Sequence, residues 1–256
     1  MSSPALAMES LKLRKAAVQR GATGVIVFGV PAMSAGFLAV ARSDADGPLA
    51  AKVAPMLIGV GWTAMFGFVA QALSVGMLLA AGVVVSWSFG REFTDGTFGA
   101  LFALPTSRRS IATAKFTILG IWGALTCMAT LLVTMLLGTL IGLGLPTTSD
   151  IGAAGRALAV GLLTVALAIP VAFVASALRG YLPGIAGLLG IVVLTQVLSV
   201  SGAGAWFPYA APGMWSGMGG QELAGTVTWA QLLLAIPVGL AGALATLRWW
   251  GTAEVV

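Results

Sequence analysis

The chain has no histidine, a single cysteine and few charged side chains. Charged residues make up 8% of its 256 positions, against about 25% in an ordinary soluble domain. With Cys127 as its only thiol, the chain cannot build within itself a Cys/His zinc site, a Ser-His-Asp triad or a disulfide. The sequence G-x-x-x-x-G-K-[ST] is also missing. The chain therefore has no P-loop of its own with which to bind ATP.

Apolar residues dominate instead. They make up 59% of the chain, and the mean hydropathy is +1.02. The apolar runs are continuous and lack the alternation of barrel strands, so they predict membrane-spanning helices of about 20 residues each. We predict six, at about 24–41, 56–87, 118–143, 157–178, 184–200 and 229–247. The predicted fold is an all-α integral membrane protein, in which residues 1–256 form a single transmembrane domain.

The basic residues predict which side of the membrane each loop faces. If the amino terminus is cytoplasmic, ten of the 13 Lys and Arg residues lie on the cytoplasmic side, and only Arg42, Lys52 and Arg156 lie outside. Because cytoplasmic loops carry an excess of Lys and Arg, both termini are predicted to be cytoplasmic, in a multi-pass protein of the plasma membrane. The net charge of +5 follows from this topology and gives no reason to expect nucleic acid as a partner.

The first apolar segment has an alternative interpretation as a cleaved signal peptide. Basic residues precede it, and Ala39-Val40-Ala41 resembles an Ala-x-Ala cleavage site. Such a leader would be long, and glycine and proline interrupt its apolar run, so we expect a retained first span. Residues 1–23 are then a cytoplasmic or interfacial segment, whose charges are spread around the helix and give only a weak amphipathic pattern.

Two glutamines, Gln71 and Gln196, are the polar side chains expected deepest in the membrane. An interhelical hydrogen bond is the common role of such a residue, and a place on a substrate pathway is the alternative. Every Asp and Glu falls in a loop or at the end of a span. The paired buried carboxylates of a proton-coupled carrier or an intramembrane protease are therefore not expected.

Segment 91–115, between the second and third spans, combines charge with an apolar stripe. A helix that begins at Arg91 places its apolar and its charged side chains on opposite faces. The apolar face consists of Phe93, Thr97, Phe98, Leu101, Phe102 and Leu104, and the charged face of Arg91, Glu92 and Asp95. Pro105 ends this amphipathic helix, and Ser107 or Ser110 is expected to cap the next one. A helix lying on anionic lipid is one interpretation of this pattern.

The order of residues in the segment favours a second interpretation. It resembles the pattern E-x-x-x-G-T, L, P, S-R and K of permease subunits of ABC-2 type ATP-binding-cassette transporters. The matching residues are Glu92, Gly96-Thr97, Leu101, Pro105, Ser107-Arg108 and Lys115. In that family the pattern lies between the second and third of six spans, as it does here. The motif covers only this segment, and the number of spans extends the resemblance to the whole chain.

The resemblance implies that ATP hydrolysis and transport are carried out by different subunits. ATP and magnesium would be bound by separate nucleotide-binding ATPase subunits, so this chain would hold no cofactor and would not itself be an enzyme. A second permease copy or a paralogue would complete the pathway through the lipid bilayer. Segment 91–115 would then be the cytoplasmic coupling helix that docks on the ATPase.

The same resemblance implies which residues act in coupling: Arg91, Glu92, Gly96, Thr97, Phe98, Leu101, Phe102, Pro105, Arg108 and Lys115. The apolar members Phe98, Leu101 and Phe102 would fill a cleft of the ATPase. The charged members Arg91, Glu92 and Arg108 would pair with charges at its rim and fix the register.

Segment 201–228 precedes the last span and lies outside in the predicted topology. It is apolar but broken by Pro208, Pro212 and several glycines, so it is too interrupted to cross the membrane. It resembles the short re-entrant or interfacial helices of the same family. A loop anchored by Trp206, Tyr209 and Trp215 is the alternative.

The sequence therefore predicts the permease subunit of an ABC-2 type exporter, which moves an amphipathic drug, peptide or lipid-like molecule out of the cell. A largely apolar pathway along the second and fifth spans suits such molecules because it offers few groups to replace the hydration of an ion. The alternatives are a secondary carrier, for which buried ionisable residues or an inverted repeat would be expected, and a non-transporting membrane scaffold.

Overall fold

The computed structural model describes residues 4–43, 47–103 and 106–253. Over these residues the chain is helical and contains no β-strand. Six helices are long and apolar enough to cross a membrane, which confirms the six predicted spans. Spans 1 to 6 are Ala17–Arg42, Gly61–Thr94, Arg108–Leu140, Ile151–Ala177, Tyr181–Val200 and Trp229–Thr252. Because the chain crosses the bundle six times, it begins and ends at the same end, which we call the terminal end.

The remaining helices are short. An N-terminal helix, Pro4–Lys15, precedes span 1, and the helices Pro48–Val53 and Ala54–Met56 lead into span 2. Spans 2 and 3 are joined through a 3-10 helix, Gly99–Ala103. Segment 201–228 contains Gly204–Trp206, Ala211–Trp215 and Gln221–Thr226.

Three spans contain an irregular turn. Span 1 includes a π-helical turn at Val25–Gly29. Span 4 consists of Ile151–Ala168 and Val171–Ala177, separated at Pro170, which has no backbone N–H to continue the helical ladder. Span 6 consists of Trp229–Leu233 and Ala235–Thr252.

Spans 2 and 3 extend further at the terminal end than their hydropathy predicts. Span 2 continues to Thr94 and is 34 residues long, well beyond the roughly 20 that cross a bilayer. Span 3 begins at Arg108, after Ser107, whose side chain accepts a hydrogen bond of 3.2 Å from the backbone N–H of Ser110. Ser107 is therefore the cap that the sequence predicted. The added turns are polar, so hydropathy does not detect them.

Span 2 forms the centre of the bundle. Its fully buried side chains include Phe66, Leu73, Met77 and Phe89. Close approach to span 5 requires a small residue, since a methyl group at Gly90 would collide with the backbone nitrogen of Tyr181. Such contacts between small residues hold helices together in lipid, where the hydrophobic effect between helices is weak.

The N-terminal helix is a separate element that packs against span 3. Ala16 is extended, with φ −70° and ψ 124°, and it separates this helix from span 1. Ala5, Glu9 and Leu13 are buried, and their spacing of four residues places them on one face. Because one of the three is an acid, the buried face gives no apolar stripe in the sequence.

Segment 201–228 is folded against the bundle and contains short helices, as predicted. Its re-entrant or interfacial position in the membrane stays a prediction. Ala211, Gly213 and Met214 are buried. The guanidinium carbon of Arg156 lies 5.2 Å from the ring centroid of Trp215, and the rings of Trp215 and Trp229 are 5.4 Å apart. Contacts with span 4 and span 6 therefore hold the segment in place.

Candidate functional site

The connection between spans 2 and 3 differs from the predicted amphipathic helix. The prediction of one helix from Arg91 to Pro105 is wrong, because the helix of span 2 ends at Thr94 and the chain turns at Asp95 and Gly96. Gly96 has φ +67°, in the left-handed region that glycine favours after a helix C-terminus. The backbone N–H of Phe98 then donates to the carbonyl of Glu92 at 2.8 Å. Leu104 and Pro105, and the side chain of Phe102, lie outside the described residues.

The apolar residues after this turn pack inside the chain. The rings of Phe93 and Phe98 are 4.3 Å apart, and Phe98 also contacts Trp250 of span 6, with ring centroids at 5.6 Å. Phe98 and Leu101 are only 7% and 6% exposed. Their predicted contact with an ATPase stays a prediction, and it would require them to leave this packing.

The exposed part of the connection between spans 2 and 3 is the turn itself. Thr94, Asp95, Gly96 and Thr97 are exposed, as are Gly99 and Ala100. We call residues 94–97 the exposed turn. At its base, Arg91 lies 3.5 Å from the carboxylate of Asp95, and its guanidinium carbon lies 4.5 Å from the ring centroid of Trp87. The predicted coupling residues Arg91, Gly96 and Thr97 thus lie on a polar surface.

Behind the exposed turn lies a cluster of two acids and two bases, of which one base is half-buried and the other three members are buried. It consists of Glu9 and Lys12 from the N-terminal helix, Glu92 from span 2 and Lys115 from span 3, and we call it the four-charge cluster. Lys115 Nζ lies 2.8 Å from Glu9 Oε2, 3.0 Å from Glu92 Oε1 and 3.0 Å from the carbonyl oxygen of Ser88. Lys12 Nζ lies 2.9 Å from Glu9 Oε1 and 3.1 Å from Glu92 Oε1.

Burial requires the charges of this cluster to be paired. Lys115 is 2% exposed and Glu92 3%, and a buried charge is tolerated only when it is paired and hydrogen-bonded. Glu92 also accepts a hydrogen bond of 2.8 Å from the hydroxyl of Thr97. The carboxylate of Glu92 faces inward in this structure. Its predicted pairing with charges at the rim of a partner stays a prediction, and it would require Glu92 to leave the four-charge cluster.

The pKa of Lys12 reflects the same contacts. Burial lowers it, but the hydrogen bond and charge of Glu9 and the charge of Glu92 outweigh that effect, so the pKa rises above its ordinary value of 10.5. The resulting stabilisation is fully present below pH 10.5 and is lost only as pH rises through the higher folded value. Lys12 therefore stays charged throughout the physiological range.

Arg108 joins the start of span 3 to the end of span 6. Its Nη1 donates a hydrogen bond to the carbonyl oxygen of Ala253. The predicted rim residue Arg108 is thus engaged within the chain, like Glu92. The terminal end consequently links the N-terminal helix, both sides of the 2–3 connection and the carboxyl-terminal helix.

A cavity of about 320 Å³ lies between spans 2 and 5 and segment 201–228. Its polar lining residues are Ser74, Thr195, Gln196, Ser199 and Tyr209, and no charged side chain lines it. The hydroxyls of Ser74, Thr195 and Ser199 each donate to a carbonyl of their own helix at 2.7 Å. Burial raises the pKa of Tyr209 to about 12, so its phenol stays neutral.

The two glutamines differ in position. Gln196 lines the cavity, whereas Gln71 does not. The side-chain amide of Gln71 donates to the carbonyl oxygen of Met56 at 3.5 Å, a contact that joins span 2 to the connection before it. Among the described residues, no group of three His, Cys, Asp or Glu side chains is placed to hold a metal ion.

Comparison with known proteins identifies the family. A family model described as ABC-2 family transporter protein matches residues 5–200. The chain belongs to the ABC-2 transporter family. The matched range contains spans 1 to 5, the exposed turn and all four residues of the four-charge cluster.

One relative of this ABC-2 protein is the bacitracin transport permease protein of Bacillus licheniformis. The two are 30% identical over 132 residues, which is 51% of this chain and 63% of the relative. The alignment therefore spans less than two thirds of that relative.

The sequence predicts some of the residues in the four-charge cluster and the cavity of this ABC-2 protein. The resemblance identified Glu92 and Lys115, which the structure brings together. It missed Glu9 and Lys12, and nothing in a single sequence links these residues to a glutamate at position 92. It also missed Ser74 in the cavity, because one serine in a long apolar run carries no periodic signal.

Proposed function

We propose that this ABC-2 protein is the permease subunit of an exporter driven by separate nucleotide-binding ATPase subunits. The observation that carries the proposal is the family match over residues 5–200, supported by a bundle of six spans. The terminal end is cytoplasmic in the plasma membrane, and a second permease, identical or paralogous, completes the pathway. ATP and magnesium are held by the ATPase, because this chain has no P-loop.

The ATPase docks on the exposed turn. This surface is polar and lies on the 2–3 connection, and Arg91 and Asp95 supply charges of both signs there. Phe93, Phe98 and Trp250 support it from below. A rigid aromatic base suits force transmission, since a soft base would absorb the displacement of the turn.

The substrate passes through or beside the cavity between spans 2 and 5. Its lining is uncharged and mostly apolar, with a few hydroxyl and amide groups. Such a wall accepts an amphipathic molecule and gives little compensation for a desolvated ion. Bacitracin is the first compound to test, because the relative is named as a bacitracin transport permease.

The proposal is tested by purifying the tagged chain in mild detergent from its native host. A P-loop ATPase should copurify, and the pair reconstituted in vesicles should transport bacitracin with ATP present. The control is the same pair with the P-loop lysine of the ATPase replaced by alanine. Transport driven by an ion gradient without ATP would show a secondary carrier, and purification of the chain alone would count against any ABC assignment.

A further inference from the structure

The four-charge cluster joins the N-terminal helix to the surface at which we place ATPase docking. We propose that the cluster makes the N-terminal helix part of the coupling machinery, so that this helix follows the exposed turn when the ATPase displaces it. The inference rests on the proposed function, because it concerns the same docking surface. Glu9 and Lys12 are then positioning residues that act through Glu92 and Lys115.

A continuous series of polar contacts leads from the turn to the helix. Thr97 is exposed, and its hydroxyl donates to Glu92 Oε2 at 2.8 Å. The other carboxylate oxygen of Glu92 lies 3.0 Å from Lys115 Nζ, which in turn lies 2.8 Å from Glu9 Oε2. Lys12 bridges the two acids from the opposite side. A partner that moves Thr97 is therefore one hydrogen bond away from the cluster.

The cluster transmits movement because separating its members costs free energy. Two carboxylates and two ammonium groups balance each other in charge, and Lys115 is almost fully buried. If Glu92 moved alone, Lys115 would lose one of its two carboxylate partners while staying buried in the bundle. A buried charge without its partner is strongly unfavourable. Salt does little to screen buried pairs. Movement of the cluster as a unit avoids this cost.

The N-terminal helix is also free to follow the turn. The extended residue Ala16 separates its helical ladder from that of span 1, so the two helices are not one rigid rod. Leu13 and Ala5 pack on the same side as Glu9, and the helix packs mainly against span 3 and less against span 1. The joint at Ala16 is where the change of angle is absorbed.

The test measures movement of the N-terminal helix in the reconstituted complex of the permease with its copurified ATPase. Spin labels would be attached at Leu11→Cys on the N-terminal helix and Leu244→Cys in span 6, both exposed. The native Cys127 is buried and will not be labelled. The distance between the labels is measured without nucleotide and with ATP and vanadate.

We expect a shift of about 2 Å or more between the two nucleotide states, the size of helix displacements at interfaces. Glu9→Gln, which keeps the size of the side chain, and Glu9→Lys should both abolish the shift. Glu9→Asp, which keeps the carboxylate between Lys12 and Lys115, should retain part of it. Arg14→Glu is the matched control, since Arg14 is an exposed charge of the same helix, and it should leave the shift unchanged.

Two results would overturn the inference: no shift in the unaltered complex, or a shift that persists in Glu9→Gln and Glu9→Lys. Either result, obtained with normal ATPase binding, would leave the proposed function standing. Failure of any ATPase to copurify would instead remove the proposed function first. A purely structural role for Glu9 would lower the stability of Glu9→Gln and leave the nucleotide-dependent shift unchanged in the complexes that remain folded.

Discussion

Lys115 shows what a single residue contributes at the boundary between the protein core and the surface of the terminal end. Its ammonium group has three N–H donors, and each donates to a different acceptor: Glu9, Glu92 and the carbonyl of Ser88. A buried ion pair is often no more stabilising than well-packed apolar residues would be. The cluster therefore contributes mainly to geometry, since it fixes the N-terminal helix, span 2 and span 3 relative to one another.

Removal of this one charge should destabilise the fold strongly. Lys115→Met leaves Glu9 and Glu92 buried with Lys12 as their remaining partner, and we expect the free energy of unfolding to fall by about 3–5 kcal/mol. Thermal unfolding in detergent, followed by tryptophan fluorescence, measures the change. Arg109→Met, at an exposed position of the same end, should stay within about 0.5 kcal/mol. Equal stabilities of the two variants would contradict the assigned pairing.

The sequence could predict half of the four-charge cluster. Glu92 and Lys115 follow from the ABC-2 pattern of the 2–3 connection. Glu9 and Lys12 are separated from them by most of span 1 and span 2, and their contact depends on how the N-terminal helix packs. Pairing over such a separation is a property of the tertiary fold, which helical periodicity cannot show.

Among the elements, the spans were predictable and the connection between spans 2 and 3 was not. Hydropathy located all six spans because lipid requires long apolar helices. In segment 91–104 the helical period was extended through Gly96, where the positive φ ends the helix. Phe98, beyond this turn, belongs to the predicted apolar stripe, but in the structure it packs on Trp249 and Trp250.

The turn at Gly96 should respond to its backbone conformation alone. A Cβ atom there would meet nothing within 4 Å, so Gly96→Ala introduces only the strain of a positive φ, of order 1 kcal/mol. We expect reduced transport at normal membrane insertion. Gly96→Asn should retain more activity, since Asn tolerates this conformation better than Ala. Vesicle transport per bound ATPase is the measurement, and identical activity of both variants would argue against a conformational role.

In the whole molecule, span 2 connects the two candidate sites. Glu92 of the four-charge cluster lies near its terminal end, and Ser74 and Leu78 line the cavity. Glu92 lies 18 residues after Ser74, which corresponds to about 27 Å along the helix. The proposed docking and substrate sites are thus separated in space but share one continuous helix.

The cavity should be sensitive to added volume. Thr195→Phe places a ring in a cavity of about 320 Å³, and we expect half-saturation by bacitracin to need about tenfold more compound, equivalent to ~1.4 kcal/mol. Val193→Phe is the control, because Val193 lies on the same span, is exposed and does not line the cavity. Bacitracin-stimulated ATPase activity of the complex measures both. An equal response of the two variants would place the binding site elsewhere.

The length of span 2 has a mechanical consequence. Its 34 residues form a rod of about 51 Å, and a tilt of roughly 5° about the midpoint would move each end by about 2 Å in opposite directions. If span 2 pivots at its middle as one rigid body, it acts as a lever, because its two halves then move in opposite directions. A displacement of the exposed turn would then move the other end of span 2, at Gly61, the opposite way.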